Sequence, residues 1–271
     1  MGLFGKKEDP EDLMYQAMTF LEKNQLKAAV SLFKKVTKID PENINAWYNQ
    51  GLALNQLKKY ADAITCFDVI VQKNPNDASA LNNRGIAMAE LGDPEGAMEY
   101  YEKAIKADSS YAPAYYNKGV LLDKKLEHEE ALKVLDEAIK IDPKKPNPRF
   151  YKGIVLGKTG KHELALNCFE NVYKANPRHL DSLFHKGIEL AELERHEKAI
   201  QVFDKILDKH KGNINVVYAK ARSKAALNEV NEAFDLLNVA IKHSKTIKLW
   251  ARKEKVFEKF YDDPEFQRMV K

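Results

Sequence analysis

Residues 44–77, INAWYNQGLALNQLKKYADAITCFDVIVQKNPND, decide the fold. Trp47, Gly51 and Leu54 recur at steps of three and four, and Ala63, Phe67 and Ile70 do so again beyond Leu57-Lys58-Lys59-Tyr60. Steps of that size place side chains on one face of an α-helix. The stretch therefore predicts two amphipathic helices joined by a short turn and closed by Asn74-Pro75.

The pattern recurs outward in both directions. Gly51, Gly85, Gly119, Gly153 and Gly187 stand 34 residues apart. The same step runs through Ala29, Ala63, Ala97, Ala131, Ala165, Ala199 and Ala233, and a large side chain follows each alanine four residues on: Phe33, Phe67, Tyr101, Leu135, Phe169, Phe203 and Leu237. Asp-Pro or Asn-Pro closes the unit at Pro41, Pro75, Pro143 and Pro177, with Ser109, Lys211 and Lys245 in the other three places. A fixed period of this length means stacked helix pairs rather than one globular core. Small residues at the eighth and twentieth positions let paired helices approach, and the bulky twenty-fourth residue fills the gap. In the turn Gly92-Asp93-Pro94, Asp93 can cap the next helix and Pro94 can take its first position, where a missing N–H costs nothing.

Composition bounds the rest. A chain of 271 residues, 44% hydrophobic and 31% charged, is not a disordered one. The net charge of +4 announces no nucleic-acid or anionic-lipid surface. No apolar run approaches the ~18 residues of a membrane span, and Met1 to Pro10 lacks the apolar stretch of a secretory signal.

Trp47, Gly51, Ala63, Phe67 and Pro75 carry a resemblance to the tetratricopeptide repeat family. On that pattern the chain divides into seven units, 10–43, 44–77, 78–111, 112–145, 146–179, 180–213 and 214–247. A flexible leader, 1–9, precedes them, and a capping segment, 248–271, follows. The end units drift, with Ala17 and Ala221 in place of glycine. The cap is read as a charged helix over 248–260, bearing Trp250, Val256, Phe257 and Phe260, then a short piece from Asp263-Pro264. The resemblance implies an all-α, right-handed superhelical solenoid of antiparallel helix pairs. It also implies a non-enzymatic adaptor whose first helices line a concave groove for an extended peptide of a partner protein.

Three columns fall on or beside that groove. The sixth position carries Asn49, Asn83 and Asn117, then Tyr151, His185 and Ala219. The asparagines resemble the asparagine ladder of the repeat region of O-GlcNAc transferase, where side-chain amides grip a peptide backbone. Each amide offers two donors and an acceptor whatever the peptide's side chains are; ordinary drift of the repeat is the other explanation. The fifth position carries Tyr48, Asn82, Tyr116, Phe150, Phe184 and Tyr218, and one turn on the ninth carries Leu52, Ile86, Val120, Ile154 and Ile188. These pairs form either an apolar floor for the peptide or internal packing. The seventh carries Arg84, Lys118, Lys152, Lys186 and Lys220, either a track for acidic peptide or phosphate, or stems covering the neighbouring helix.

Other chemistries find little support. Cys66 and Cys168 lie three periods apart, and at about 8–10 Å per helix layer that exceeds the ~7 Å Cα limit of a disulfide. Two unbridged thiols suit a reducing, cytoplasmic setting. His128, His162 and His196 repeat at 34 residues, too far apart to meet on one zinc ion at ~2.0–2.1 Å, and read as aromatic spacers at the turn. Carboxylates such as Glu129 and Glu130 fall on outer helix faces, with no reason for burial in pairs. No nucleophile, phosphate-loop or metal motif appears, so neither cofactor, metal nor small-molecule substrate is expected. A chaperone-tail carboxylate clamp keeps one of its five parts, Asn49, with Met14, Met18 and Ser79 at other clamp places. Lys6 stands where a myristoylation signal needs Ser or Thr. An RNA-reading helical repeat and a regulatory subunit of an enzyme complex are the rival readings. The asparagines stop after the fourth unit, whereas an RNA reader needs its code in every repeat. Pro143, Pro146 and Pro148 either bend the stack between units four and five or start the next helix.

Overall fold

The computed structural model describes residues 8–271. The basic, apolar part of the leader and its acylation signal lie outside the described residues. The chain divides into two compact units, Met1–Lys144 and Lys145–Lys271. In the first, helices pair in chain order: α1 (Pro10–Glu22) with α2 (Leu26–Ile39), α3 (Ile44–Gln56) with α4 (Tyr60–Lys73), α5 (Ala78–Glu90) with α6 (Pro94–Ala107), and α7 (Ala112–Lys124) with α8 (His128–Ile141). In the second, α9 (Pro146–Lys158) pairs with α10 (His162–Ala175), α11 (Leu180–Glu192) with α12 (His196–Leu207), and α13 (Ile214–Ala226) with α14 (Val230–His243). No strand occurs among the described residues. No helix among them is long and apolar enough to cross a membrane.

The period predicts where these helices start, turn and touch. All seven alanines of the twentieth position are fully buried, and Phe33, Phe67, Phe169 and Phe203 have no exposed surface. At Gly51 a methyl group would lie 2.7 Å from Phe67 Cζ, so only a hydrogen fits between the paired helices. The turns obey the same period. Asn24, Lys58, Gly92, Leu126, Gly160, Glu194 and Asn228 all take positive φ. The next amide reaches back five residues, as Lys59 N does to Leu54 O at 2.8 Å, which closes a Schellman motif. Asp93 accepts from Gly96 N at 2.9 Å and Pro94 opens α6. Asn43, Asp77 and Asn213 cap first helices in the same way.

Two expectations are refined. Pro146 opens α9 and Pro148 is buried in its first turn, so these prolines start a helix, right beside the boundary between the compact units. The single charged helix over 248–260 is instead broken. α15 (Thr246–Ala251) stops, a 3₁₀ segment spans Lys255–Phe260, and α16 (Pro264–Val270) follows. A three-residue turn eclipses side chains three apart, so Phe257 and Phe260 both enter the core of α13 and α14 beside Phe234 and Phe266. Asp263 caps α16 by accepting from Glu265 and Phe266 amides.

Candidate functional site

Within the units, first helices also touch the first helix of the next pair: α3 with α5, α5 with α7, and α11 with α13. The columns of the sequence fall on this shared face. In the first unit a polar network ties neighbouring helices. Tyr48 Oη lies 2.6 Å from Ser79 Oγ and accepts from Asn83 Nδ2 at 3.2 Å, while Tyr111 donates to Ser79 Oγ at 3.2 Å. Asn117 donates to the buried Asn82 carboxamide oxygen at 2.8 Å. Asn49 donates to Asn45 O at 2.8 Å and Asn83 to Ser79 O at 2.8 Å, both within their own helices. The amide donors of all three asparagines thus have partners inside the protein.

The fifth-position rings pack edge-on against the twenty-fourth-position residue: Tyr48 on Phe67 at 6.2 Å and Phe150 on Phe169 at 5.5 Å between centroids. Phe184 meets Phe203 at 6.2 Å, tilted. Tyr116 is half-buried, which pushes its phenol pKa up, and Tyr151 is half-buried on α9. These rings are mostly internal packing: Tyr48, Tyr116, Phe150 and Phe184 are half-buried and Tyr218 is buried. At the ninth position Leu52, Ile86, Val120, Ile154 and Ile188 are every one half-buried, and Leu52, Ile86 and Ile188 pack against the core.

The basic column is paired. Arg84 meets Asp68 at 2.5 Å and lies over the Tyr100 ring at 3.9 Å; Lys118 meets Glu102 at 2.8 Å, Lys186 meets Glu170 at 2.6 Å, and Lys220 meets Asp204 at 2.6 Å. In each case the acid stands at the twenty-fifth position of the preceding unit, 16 residues back. The Lys186 hydrogen bond holds the Glu170 carboxyl below its ordinary pKa. Lys152 is half-buried in the same column. The acid column is legible in the sequence as Asp68, Glu102, Glu170 and Asp204.

Two carboxylates depart from the outer faces expected of most acids, each buried against a turn histidine. Asp123, 2% exposed, lies 3.0 Å from His128 Nδ1, and Glu189, 5% exposed, lies 2.8 Å from His162 Nδ1. Burial pushes the Glu189 pKa up, and the His162 contact opposes that rise. These turn histidines are hydrogen-bonding partners rather than plain spacers. His185 sits among Phe150, Phe169 and Phe184 with centroids 5.4, 5.1 and 5.6 Å away, and its burial lowers the imidazole pKa. Cys66 and Cys168 are in no disulfide, and burial pushes the Cys66 thiol up to about 12. Toward the C-terminus, Phe184, Ile188, Tyr218, Arg222, Trp250 and Glu254 line an open hollow of about 360 Å³. Trp250 is 47% exposed there, its ring 5.9 Å from Tyr218.

Known proteins bear on this arrangement. Tetratricopeptide repeat models match residues 59–112, 112–145 and 152–214, more than half of the chain. The chain belongs to the tetratricopeptide repeat family. Residues 3–70 of this repeat protein also match the model described as anaphase-promoting complex, cyclosome, subunit 3. Among solved structures the repeat protein is similar to PilW, a type IV pilus biogenesis factor, with a TM-score of 0.68, 20% identity, and 77% of this chain and 96% of that one covered. A tetratricopeptide repeat protein of Parabacteroides merdae superposes with a TM-score of 0.64 at 18% identity, over 89% of this chain and 96% of that one. YrrB, described as having an unusual peptide-binding site, does so at 0.59 and 24% identity, over 69% of this chain and 97% of that one. No curated protein matches by sequence. The family's repeats serve as protein-interaction scaffolds, and this repeat protein has that fold.

Proposed function

We propose that the protein is a non-enzymatic scaffold that holds an extended segment of a partner protein along the first-helix face of its repeats. The observation that carries this reading is the ninth-position column. In the five units that carry it the eighth-position glycine is buried, while the neighbouring Leu52, Ile86, Val120, Ile154 and Ile188 keep part of their surface accessible, Leu52, Ile86 and Ile188 with their other side against the core. An apolar side chain with an accessible edge in five successive repeats, in register, suits a ligand that runs across successive helices. Beside it, the asparagines' donors are engaged internally, and their carboxamide oxygens suit the N–H groups of such a ligand. The paired basic column supports a protein ligand over nucleic acid, because its charges are already neutralised by acids of the preceding repeat. Unbridged thiols suit a cytoplasmic setting.

The test is selection of a displayed library of short random peptides on the whole protein, followed by binding measurements on the double variant Ile86→Glu, Val120→Glu and on Ile154→Glu, Ile188→Glu. Ile86 and Ile188 also pack against the core, so circular dichroism first establishes that each variant keeps the fold. Enriched peptides should lose binding to one of the two. Equal binding to both, or no enrichment at all, contradicts the proposal.

A further inference from the structure

The open hollow of about 360 Å³ near the C-terminus is aromatic on three helices: Phe184 on α11, Tyr218 on α13 and Trp250 on α15. Trp250 is 47% exposed, although its ring lies 5.9 Å from that of the buried Tyr218. An indole left in solvent beside a buried ring is apolar surface open to a ligand. The charges of the wall are already paired. Arg222 meets Glu254 at 3.0 Å, and Tyr218 Oη donates to Glu254 at 3.5 Å. These two are the charged residues of the lining, so it carries no net charge and disfavours a charged occupant.

Its donors, by contrast, are unused. Among the described residues, neither the Trp250 indole N–H nor the Asn215 carboxamide on the same wall has a hydrogen-bond partner. The strongest acceptor there, the Glu254 carboxylate, is held by Arg222 and Tyr218. An ordinary extended peptide brings an N–H with every residue and needs acceptors that this wall lacks. Proline brings a carbonyl and no N–H. The first unit already contains the matching contact: Trp47 Nε1 donates to the carbonyl oxygen of Pro41 at 3.0 Å.

We propose that this hollow binds a proline-rich segment of the partner protein in polyproline II form. The proposal rests on the scaffold reading above and names the kind of segment held at this end of the first-helix face. Pyrrolidine rings pack on Phe184, Tyr218 and Trp250, while carbonyl oxygens accept from Trp250 Nε1–H and the Asn215 amide. One turn of polyproline II advances about 9.3 Å, close to the about 8–10 Å between packed helices. Prolines three apart therefore meet the touching helices α11 and α13 in register. The free segment already has this conformation, so docking orders little that was not ordered before.

The experiment is an NMR titration of the whole protein that follows its two indole N–H signals, told apart by Trp250→Phe. The probes are three decapeptides with capped ends: decaproline, alternating alanine-glycine and alternating alanine-lysine. Decaproline should shift the Trp250 indole saturably, while the Trp47 indole, bonded to Pro41, stays still. The other two peptides should bind at least about tenfold more weakly. Asn215→Ala, read at the Trp250 indole, should weaken decaproline about three- to tenfold, the loss of one hydrogen bond. Trp250→Phe keeps a ring, removes the N–H and should do the same, read at the Asn215 side-chain amide. Both positions are exposed, and circular dichroism checks that each variant keeps the fold. Absence of a saturable Trp250 shift overturns the proposal, as does equal binding of either control peptide or undiminished binding in both variants. Where decaproline fails but library peptides without proline lose affinity for a ninth-position variant, the scaffold stands and the proline specificity falls.

Discussion

Replacing Gly51 by alanine puts a methyl carbon 2.7 Å from Phe67 Cζ and 2.9 Å from Cε1, inside van der Waals contact. Phe67 has no exposed surface and cannot swing into solvent. Overpacking of this kind costs about 1–3 kcal/mol. The gain in helix propensity from glycine to alanine returns at most about 1 kcal/mol, so a net loss of up to about 2 kcal/mol is expected. The seventh helix pair shows one way the strain is relieved, since Ala221 there shares a core with Leu237, both fully buried, whereas the first pair holds Ala17 and Phe33 together in one core by a different packing. Phe67→Leu alone removes ring carbons from a packed core and should cost about 1–2 kcal/mol. In the double variant the leucine leaves space for the new methyl, so the combined loss should fall short of the sum by about 1 kcal/mol. Urea denaturation gives the four free energies, and hydrogen exchange on α3 and α4 localises them, because repeat arrays do not always unfold in one step. Additivity within about 0.5 kcal/mol would refute the idea that the glycine exists to admit the ring.

Three further outcomes follow from the same structure. Leu126 holds φ at 65° and is 75% exposed; an L-residue there costs about 1–2 kcal/mol, partly offset by the larger backbone entropy glycine loses on folding. Leu126→Gly should therefore raise stability by about 0.5–1 kcal/mol in denaturant titration, and a loss would contradict it. The lowered His185 pKa means that the unfolded chain binds the proton more tightly than the folded one. Stability of the second unit should fall as pH drops through 6.5, the imidazole's ordinary value. His185→Phe should flatten that slope in thermal melts run from neutral to mildly acid pH, and an unchanged slope would count against it. Asn83→Ala with Asn117→Ala should destabilise the first unit by about 1–2 kcal/mol, because these amides tie α3, α5 and α7 together. Unchanged melting would show the ties to be incidental.

What the sequence disclosed and what it withheld have a common physical cause. Periodicity compares like with like, and Gly51, Ala63 and Phe67 meet the equivalent packing problem in every pair, so their spacing revealed the helices and their close approach. The turn at Gly92-Asp93-Pro94 and its cap were legible for the same reason. Contacts between unlike columns were not. His162 reaches Glu189 in the next unit through space cleared by Gly157, and no single column shows that. The ion pairs from Arg84 to Asp68 and from Lys118 to Glu102 join the seventh column to the twenty-fifth. A search for acids 16 residues before each base would have found them. The broken cap escaped because Phe257 and Phe260 fit a helical stripe as readily as a 3₁₀ turn; only the depth of the α13–α14 core decides between them.

The central claim is that a partner segment lies on the first-helix face, and methyl NMR of the isoleucine, leucine and valine side chains reads that face directly. Titrated with a peptide selected on the whole protein, the account predicts shifts at Leu52, Ile86 and Val120 in the first unit or at Ile154 and Ile188 in the second. Outward methyls of the second helices, such as Ile39, Leu164 and Val239, should stay still. Shifts confined to those outward methyls would contradict it.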